Sequence, residues 1–213
     1  MYAKYPRTMH FDWSLSLQND DRRLETNEHF IGKRVIVSEK YDGENTTFYI
    51  DHLHARSMDS KHHPSRNWIK SFHGKVKWKI PDSWRVCVEN CYATHSIEYR
   101  RRYGNALPSF CMGISIWKQD NKCMSWDETV DYFKFLDIVP VKVLYDGIYN
   151  ENILKQIAKD QNPKLIEGYV CRVADGFSYE DFGTHVAKYV RARHVQSSEH
   201  WMNSEIVPNE EIE

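Results

Sequence analysis

Short runs rich in β-branched and aromatic residues, each closed by Gly, Pro, Asn or Asp, predict strands over 34–39, 46–50, 84–89, 110–117, 141–145, 167–172 and 185–190. Helices are predicted over 65–78, 125–136 and 150–159. In the second of these, Ser125-Trp126-Asp127-Glu128 has the Ser-x-x-Glu form of a capping box, and Val130, Phe133 and Leu136 then recur at helical spacing, so the segment reads as scaffold. No internal repeat, low-complexity tract or linker interrupts the pattern; the longest polar loop runs over 59–66. The expectation is an α+β fold, antiparallel sheets with helices on their flanks.

Composition narrows the class. With 213 residues, 41% of them hydrophobic, the chain is consistent with one domain over 1–213 and a sizeable core, residues 1–21 forming an N-terminal extension. The 14% aromatic share is enough to stack bases as well as to fill that core. No apolar run approaches membrane-spanning length, and Lys4, Arg7 and Asp12 break up the amino terminus, so neither a membrane span nor a signal peptide is expected. The five cysteines are odd in number and lie mostly in apolar, strand-like surroundings, which favours reduced packing residues over a disulfide frame. The absence of Cys-x-x-Cys disfavours zinc, and His10, His52, His54, His62 and His63 read as surface or polar-packing residues. A net charge of −1 argues against a nonspecific nucleic-acid coat. Three local basic runs remain, Arg100-Arg101-Arg102, Lys75-x-Lys77-x-Lys79 and Lys61-His62-His63-Pro64-Ser65-Arg66, each readable as a solvated face or as part of a phosphate-binding groove.

The chemistry centres on Lys40-Tyr41-Asp42-Gly43, directly after a predicted strand. A lysine fixed at a strand end becomes nucleophilic once burial or a neighbouring cation helps to deprotonate it. Taken alone the tetrapeptide favours another reading, a hairpin turn at Asp42-Gly43 joining the strands over 35–39 and 46–50.

Five further stretches, in order, decide between these. Lys40-Tyr41-Asp42-Gly43-Glu44-Asn45 resembles the first motif, Lys-x-Asp-Gly, of the covalent nucleotidyltransferases, which include the ATP-dependent RNA and DNA ligases and the mRNA capping enzymes. His54-Ala55-Arg56-Ser57 resembles the family's next element, Val88-Glu89-Asn90 its third motif, Phe110 to Trp117 the hydrophobic strand that follows, Glu167-Gly168-Tyr169-Val170 the fourth motif, and Ala187-Lys188-Tyr189-Val190-Arg191 the fifth. Matches in register from Lys40 to Arg191 are far more specific than any one of them. The wording around Lys40, Glu89 and Glu167 is most similar to the RNA ligases, as are Lys4-Tyr5-Pro6-Arg7-Thr8 and the stretch from His194 to Met202 in small phage and bacterial members.

The resemblance implies an α+β nucleotidyltransferase (ATP-grasp-like ligase) domain that joins RNA 3′-hydroxyl and 5′-phosphate ends with ATP and Mg²⁺ or Mn²⁺. A lysyl-AMP on Lys40 is the implied intermediate, and the setting is a monomer in the cytoplasm of a bacterial or phage-infected cell. It implies Lys188 on the α-phosphate, Arg56 on the nucleotide and later the RNA phosphate, Glu89 on the ribose, Glu167 at the metal and Glu39 at the adenine amino group. Asp42 is either a turn former or a carboxylate orienting ribose or metal, the turn role being favoured. His95 follows the third motif closely enough to approach the substrate phosphate, and Arg100, Arg101, Arg102 and Arg191 are expected at the RNA. Two positions depart from the pattern: Ile114 stands where an aromatic residue stacks on adenine, and Val186 and Val190 flank Lys188 where a second lysine is common, with Arg191 as the substitute charge. The sequence runs 25 residues beyond Lys188, so the appended C-terminal domain of many relatives is not expected. A DNA ligase or guanylyltransferase core, and a nucleic-acid end-binding protein that keeps the pocket without turnover, are the alternatives.

Overall fold

The computed structural model describes residues 2–17, 21–58, 61–192 and 205–212. The family-like stretch 194–202 and two positions of the polar loop, 59 and 60, lie outside the described residues. The strands are β1 (Met9–His10), β2 (Arg34–Lys40), β3 (Glu44–Phe48), β4 (Leu53–Ala55), β5 (Arg85–Asn90), β6 (Cys111–Trp117), β7 (Lys122–Cys123), β8 (Val139–Pro140), β9 (Val143–Ile148), β10 (Gly168–Val173), β11 (Phe177–Ser178) and β12 (Val186–Val190). The helices are α1 (Asn67–Val76), α2 (Trp126–Leu136), α3 (Glu151–Asp160) and the single turn α4 (Phe182–His185).

Two sheets result. One has the order β1-β12-β10-β2-β9, antiparallel apart from the parallel β1–β12 pair. The other has the order β11-β7-β6-β5-β3-β4, with β8 added parallel to β6. The run Val35-Ile36-Val37 is apolar throughout because β2 sits inside its sheet, covered on both faces. Val35 and Val37 enter the core shared with Trp117 and Tyr169, while Ile36 enters the one around Tyr41, Tyr99 and Trp126. Full burial of each such side chain contributes roughly 1.5–3 kcal/mol.

On the second sheet, Phe48, Val86 and Ile116 pack with Ile69 of α1 and with Phe133 and Leu136 of α2. The capping box at Ser125 is formed from both sides, and α2 ends at Asp137 in the left-handed conformation (φ 57°). Asn150 caps α3 by accepting from the amides of Asn152 and Ile153. The predicted helix over 65–78 is α1 with a 3₁₀ turn at each end, Pro64–Arg66 and Lys77–Lys79.

One predicted strand divides. The Val141 amide donates to Gly113 O at 2.9 Å beside β8, on the second sheet, whereas β9 starts at Val143 on the first. The expected strand over 141–145 therefore straddles the step between sheets. Residues of the amino-terminal segment are part of the packing: Phe11 is fully buried and stacks on Trp13 at 4.3 Å, and Trp13 Nε1 donates to the Tyr169 hydroxyl at 2.9 Å. Among the described residues no helix is long and apolar enough to cross a membrane.

Candidate active site

The hairpin reading of Asp42-Gly43 fails. β2 pairs with β10 and β9 in one sheet, and β3 pairs with β4 and β5 in the other, so Tyr41–Gly43 carries the chain between sheets. Turn residues suit both connections equally, which is why sequence alone does not separate them. A Cβ on Gly43 would lie 2.6 Å from the Asn90 carbonyl oxygen and 3.0 Å from Glu89 Cγ, so glycine permits the link to pass close over β5. The buried Asp42 carboxylate accepts from the amides of Ser96 and Ile97, each at 2.7 Å, and its own amide donates to the Tyr99 hydroxyl at 2.9 Å. Its geometry thus orders the loop after β5, which carries His95.

Lys40 ends β2 at the mouth of a cleft between the two sheets. A register shift at Val37/Ser38, of the kind that re-aims the following side chains, precedes the Glu39-Lys40 pair. Lys40 Nζ lies 2.6 Å from both oxygens of the buried Glu167 carboxylate. Gly168 makes this approach feasible: at φ 157°, any Cβ would sit 2.0 Å from the Tyr189 carbonyl oxygen on the adjacent β12.

Electrostatically the site holds one ammonium between two carboxylates. Burial opposes the charge on Lys40, but Glu167 and Glu89 outweigh it and hold the ammonium above its ordinary range. Burial pushes Glu89 up to about 8, with Lys40 opposing and Glu167 adding to the rise. Burial also raises Glu167, against the pull of the Lys40 ammonium 2.6 Å away.

The remaining wall comes from four directions. Lys188 on β12 lines the cleft, its Nζ 3.2 Å from Asp21 Oδ1, while Asp21 Oδ2 lies 3.1 Å from His10 Nε2 on the paired strand β1. Burial lowers the Lys188 pKa, Asp21 offsetting part of the fall. Arg56 follows β4, Glu89 lies on β5 and Ile114 on β6, all three lining the same cleft. Glu39 is buried there too, raised by burial with Lys142 opposing. The floor is apolar, with Ile114, Trp117, Trp126 and Phe177 among its lining side chains. Phe110 is directed elsewhere, meeting Trp68 and Tyr92 edge to face.

Of the residues singled out in the sequence, Glu39, Lys40, Arg56, Glu89, Ile114 and Lys188 share this cleft, with Glu167 bonded to Lys40 at its edge. The buried Arg191 accompanies Glu167, its amide donating to Glu167 O at 3.0 Å. The Arg100–Arg102 run does not line it. Arg100 is buried and its guanidinium donates to Pro208 O; the Arg101 amide donates to Glu210 Oε2 at 2.8 Å and its Nε to Glu211 O at 2.9 Å. Arg102 is the exposed outer member, 3.4 Å from Glu98 and over the Tyr103 ring. Among the lining residues that were not site candidates are Tyr5, Arg7, Thr8 and Asn45. Asn45 Oδ1 is buried without a hydrogen-bond partner among the described residues. Its signal was the extended first motif; for the others it was the family-like Tyr5-Pro6-Arg7-Thr8.

The donor set suits a hard divalent ion. Glu167 and Glu89 offer carboxylate oxygens, and burial raises the pKa of both against the opposing pull of Lys40. Among the described residues no group of three or more His, Cys, Asp or Glu side chains that could hold a metal occurs.

The RNA ligase family model matches residues 33–190. No curated protein matches the chain. Solved structures with a similar fold include an archaeal ATP-dependent RNA ligase (14% identity, 88% of this chain and 48% of that one, TM-score 0.59). Naegleria gruberi RNA ligase with pyrophosphate is another (19% identity, 88% of this chain and 57% of that one, TM-score 0.55). An Aquifex aeolicus protein described only as a candidate ATP-dependent DNA ligase is a third (18% identity, 88% of this chain and 50% of that one, TM-score 0.54). This chain thus spans about half the length of the solved ligases it matches. With Lys40, Glu89, Glu167 and Lys188 all inside the matched span, the chain belongs to the RNA ligase family.

Proposed function

We propose that the chain is an ATP-dependent RNA ligase acting through lysyl-AMP, and that Lys40 is its nucleophile. The observation that carries this reading is the placement of Lys40 between Glu167 and Glu89 in a cleft shared with Arg56 and Lys188 and floored by apolar side chains. In the first step the Lys40 ammonium releases a proton to solvent and the free amine attacks the α-phosphorus of ATP; an N–P bond forms, the P–O bond to the departing pyrophosphate breaks, and the nitrogen's second proton passes to solvent. AMP then passes to an RNA 5′-phosphate, and an RNA 3′-hydroxyl displaces it to leave a phosphodiester. Little covalent work falls to the protein in such transfers; positioning and charge neutralisation dominate.

Lys188 and Arg56 lie where the phosphates of a nucleotide bound over Lys40 would need neutralising. Glu39 and Asn45 Oδ1 supply acceptors to the base or sugar, and Glu89 to the ribose. Ile114 covers one purine face with aliphatic surface. Mg²⁺ or Mn²⁺, held by Glu167 and the nucleotide, would neutralise phosphate charge and aid departure of pyrophosphate. Residues 1–21 belong to the catalytic unit in this account, because Arg7 and Thr8 line its cleft. In this proposal His95, on the loop that Asp42 orders, and Arg191, beside Glu167, contact the RNA. Arg100 and Arg101 serve mainly as anchors of the 208–211 segment, leaving Arg102 to the solvent side. A monomer working in the cytoplasm is part of the same proposal.

The test is to charge the protein with ATP, remove free nucleotide, and add 5′-phosphorylated RNA with a 3′-hydroxyl partner. RNA-adenylate followed by sealed RNA is expected. Adenylate that never leaves the protein would overturn ligase activity, and equal sealing of DNA would overturn the RNA assignment.

A further inference from the structure

A second cleft lies behind the first. It is lined by β4 and the segment before it, by Lys61 and His62, and by one face of α1, where Lys70, His73 and Lys77 recur at spacings of three and four. The two basic runs that look unrelated in the sequence, 61–66 and 75–79, each contribute a lysine here. Lys61, Lys70 and Lys77 are exposed, and none has a carboxylate partner among the described residues; Lys70 Nζ instead meets His62 Nδ1 at 2.9 Å. The cleft has two other charged side chains, a paired arginine and a carboxylate with no cationic partner among the described residues. Arg66 is buried in an ion pair with Glu44, and Asp51 accepts from the Tyr2 hydroxyl at 3.0 Å.

Within this basic wall sits an unusual acceptor. His54 is 3% exposed, and its Nδ1 lies 2.6 Å from Ala55 O; a carbonyl only accepts, so Nδ1 carries the proton and Nε2 is left as a lone-pair acceptor. Nε2 is buried and has no hydrogen-bond partner among the described residues. Burial keeps the ring neutral by lowering its pKa, the bond to Ala55 opposing. A phosphate oxygen cannot satisfy such an atom, whereas a hydroxyl can.

The cleft also adjoins the nucleotide site. Ala55 lines the second cleft and Arg56 the first, so the wall between them is one residue thick along the chain. His54 and Arg56 are two residues apart, roughly 6.6 Å at the rise of an extended strand.

We propose that this cleft seats the sugar-phosphate backbone of the RNA strand whose end reaches the Lys40 site, with Lys61, Lys70 and Lys77 on its phosphates and His54 Nε2 accepting from a ribose 2′-hydroxyl. The proposal rests on the RNA ligase reading and adds to it the path of the strand and a means of telling RNA from DNA. The probe is a short 5′-phosphorylated single-stranded RNA and the DNA of the same sequence, with AMP labelling of Lys40 read in every preparation.

Three phosphate contacts at about 0.7 each in the salt slope correspond to a loss of about 20-fold in affinity between 50 and 200 mM salt. The variant Lys61→Ala/Lys70→Ala/Lys77→Ala should lack that share of the salt dependence while labelling of Lys40 stays at the wild-type level. His54→Phe, which keeps a ring in the space, should lower RNA affinity toward that for DNA without moving the salt slope. An unchanged slope in the triple variant overturns the phosphate path, and an unchanged RNA-to-DNA ratio in His54→Phe overturns the hydroxyl contact. Either result with normal labelling leaves the Lys40 site untouched; absence of labelling in the wild-type protein counts against the ligase reading instead.

Discussion

Replacing Glu89 by Gln tests whether the cleft holds a carboxyl group that is protonated at rest. In the fold Glu89 titrates at about 8, against 4.5 ordinarily, chiefly because it is buried. A raised pKa of this kind gives stability that is fully present below 4.5 and lost as pH rises through 8. At about 1.4 kcal/mol per tenfold change in proton activity, forcing the ionised form into the ligand-free site costs up to about 5 kcal/mol across that interval. Glu89→Gln keeps the shape and hydrogen-bonding capacity without the proton, and Glu167 still pairs Lys40 at 2.6 Å. Urea unfolding in EDTA at a series of pH values from 5 to 8.5 reads the difference. The gap between variant and wild type should move in the variant's favour as pH rises, with most of the change above pH 6. A gap that stays flat with pH would refute the argument, because it would mean that Glu89 is already ionised and compensated in the folded protein.

Other perturbations separate the parts of the site. Asp42→Ala strands the Ser96 and Ile97 amides and should cost about 1–3 kcal/mol in urea unfolding, with unchanged stability showing that the loop is held by other contacts. Gly43→Ala puts a methyl group 2.6 Å from Asn90 O, so Lys40 labelling should fall sharply while the circular dichroism spectrum is kept; full labelling would show that the link tolerates a shift. Glu167→Gln should raise the Mg²⁺ concentration for half-maximal labelling about tenfold, equivalent to about 1.4 kcal/mol. An unchanged Mg²⁺ requirement would remove Glu167 from the metal.

Much of this architecture is legible in the sequence because the relevant forces are local. The apolar run before Lys40, the Ser125 capping box and the Phe133/Leu136 spacing each specify an element within a few residues. The short strands β4, β7 and β11 are not legible in that way, since two or three residues become a strand only when a neighbour supplies the ladder. Asp42-Gly43 announces a turn but not its destination, and a link between sheets uses the same residues as a hairpin. The arginine run 100–102 reads as charge available to a ligand, yet the groups that engage Arg100 and Arg101 lie about a hundred residues further on, at 208–211. The catalytic cleft is the opposite case. Its residues are scattered from Tyr5 to Lys188, and the family resemblance, rather than any local pattern, singles out the charged ones from Glu39 onward before the fold brings them together.

The central claim is that Lys40 accepts AMP, and intact-mass measurement after incubation with ATP and Mg²⁺ addresses it directly, with GTP in parallel and Lys40→Ala alongside. The account predicts one added adenylyl group on the wild-type chain with ATP alone, mapped to Lys40 and absent from the variant, whose far-ultraviolet spectrum is unchanged. An adduct that persists in Lys40→Ala, or one that forms equally well with GTP, would contradict it.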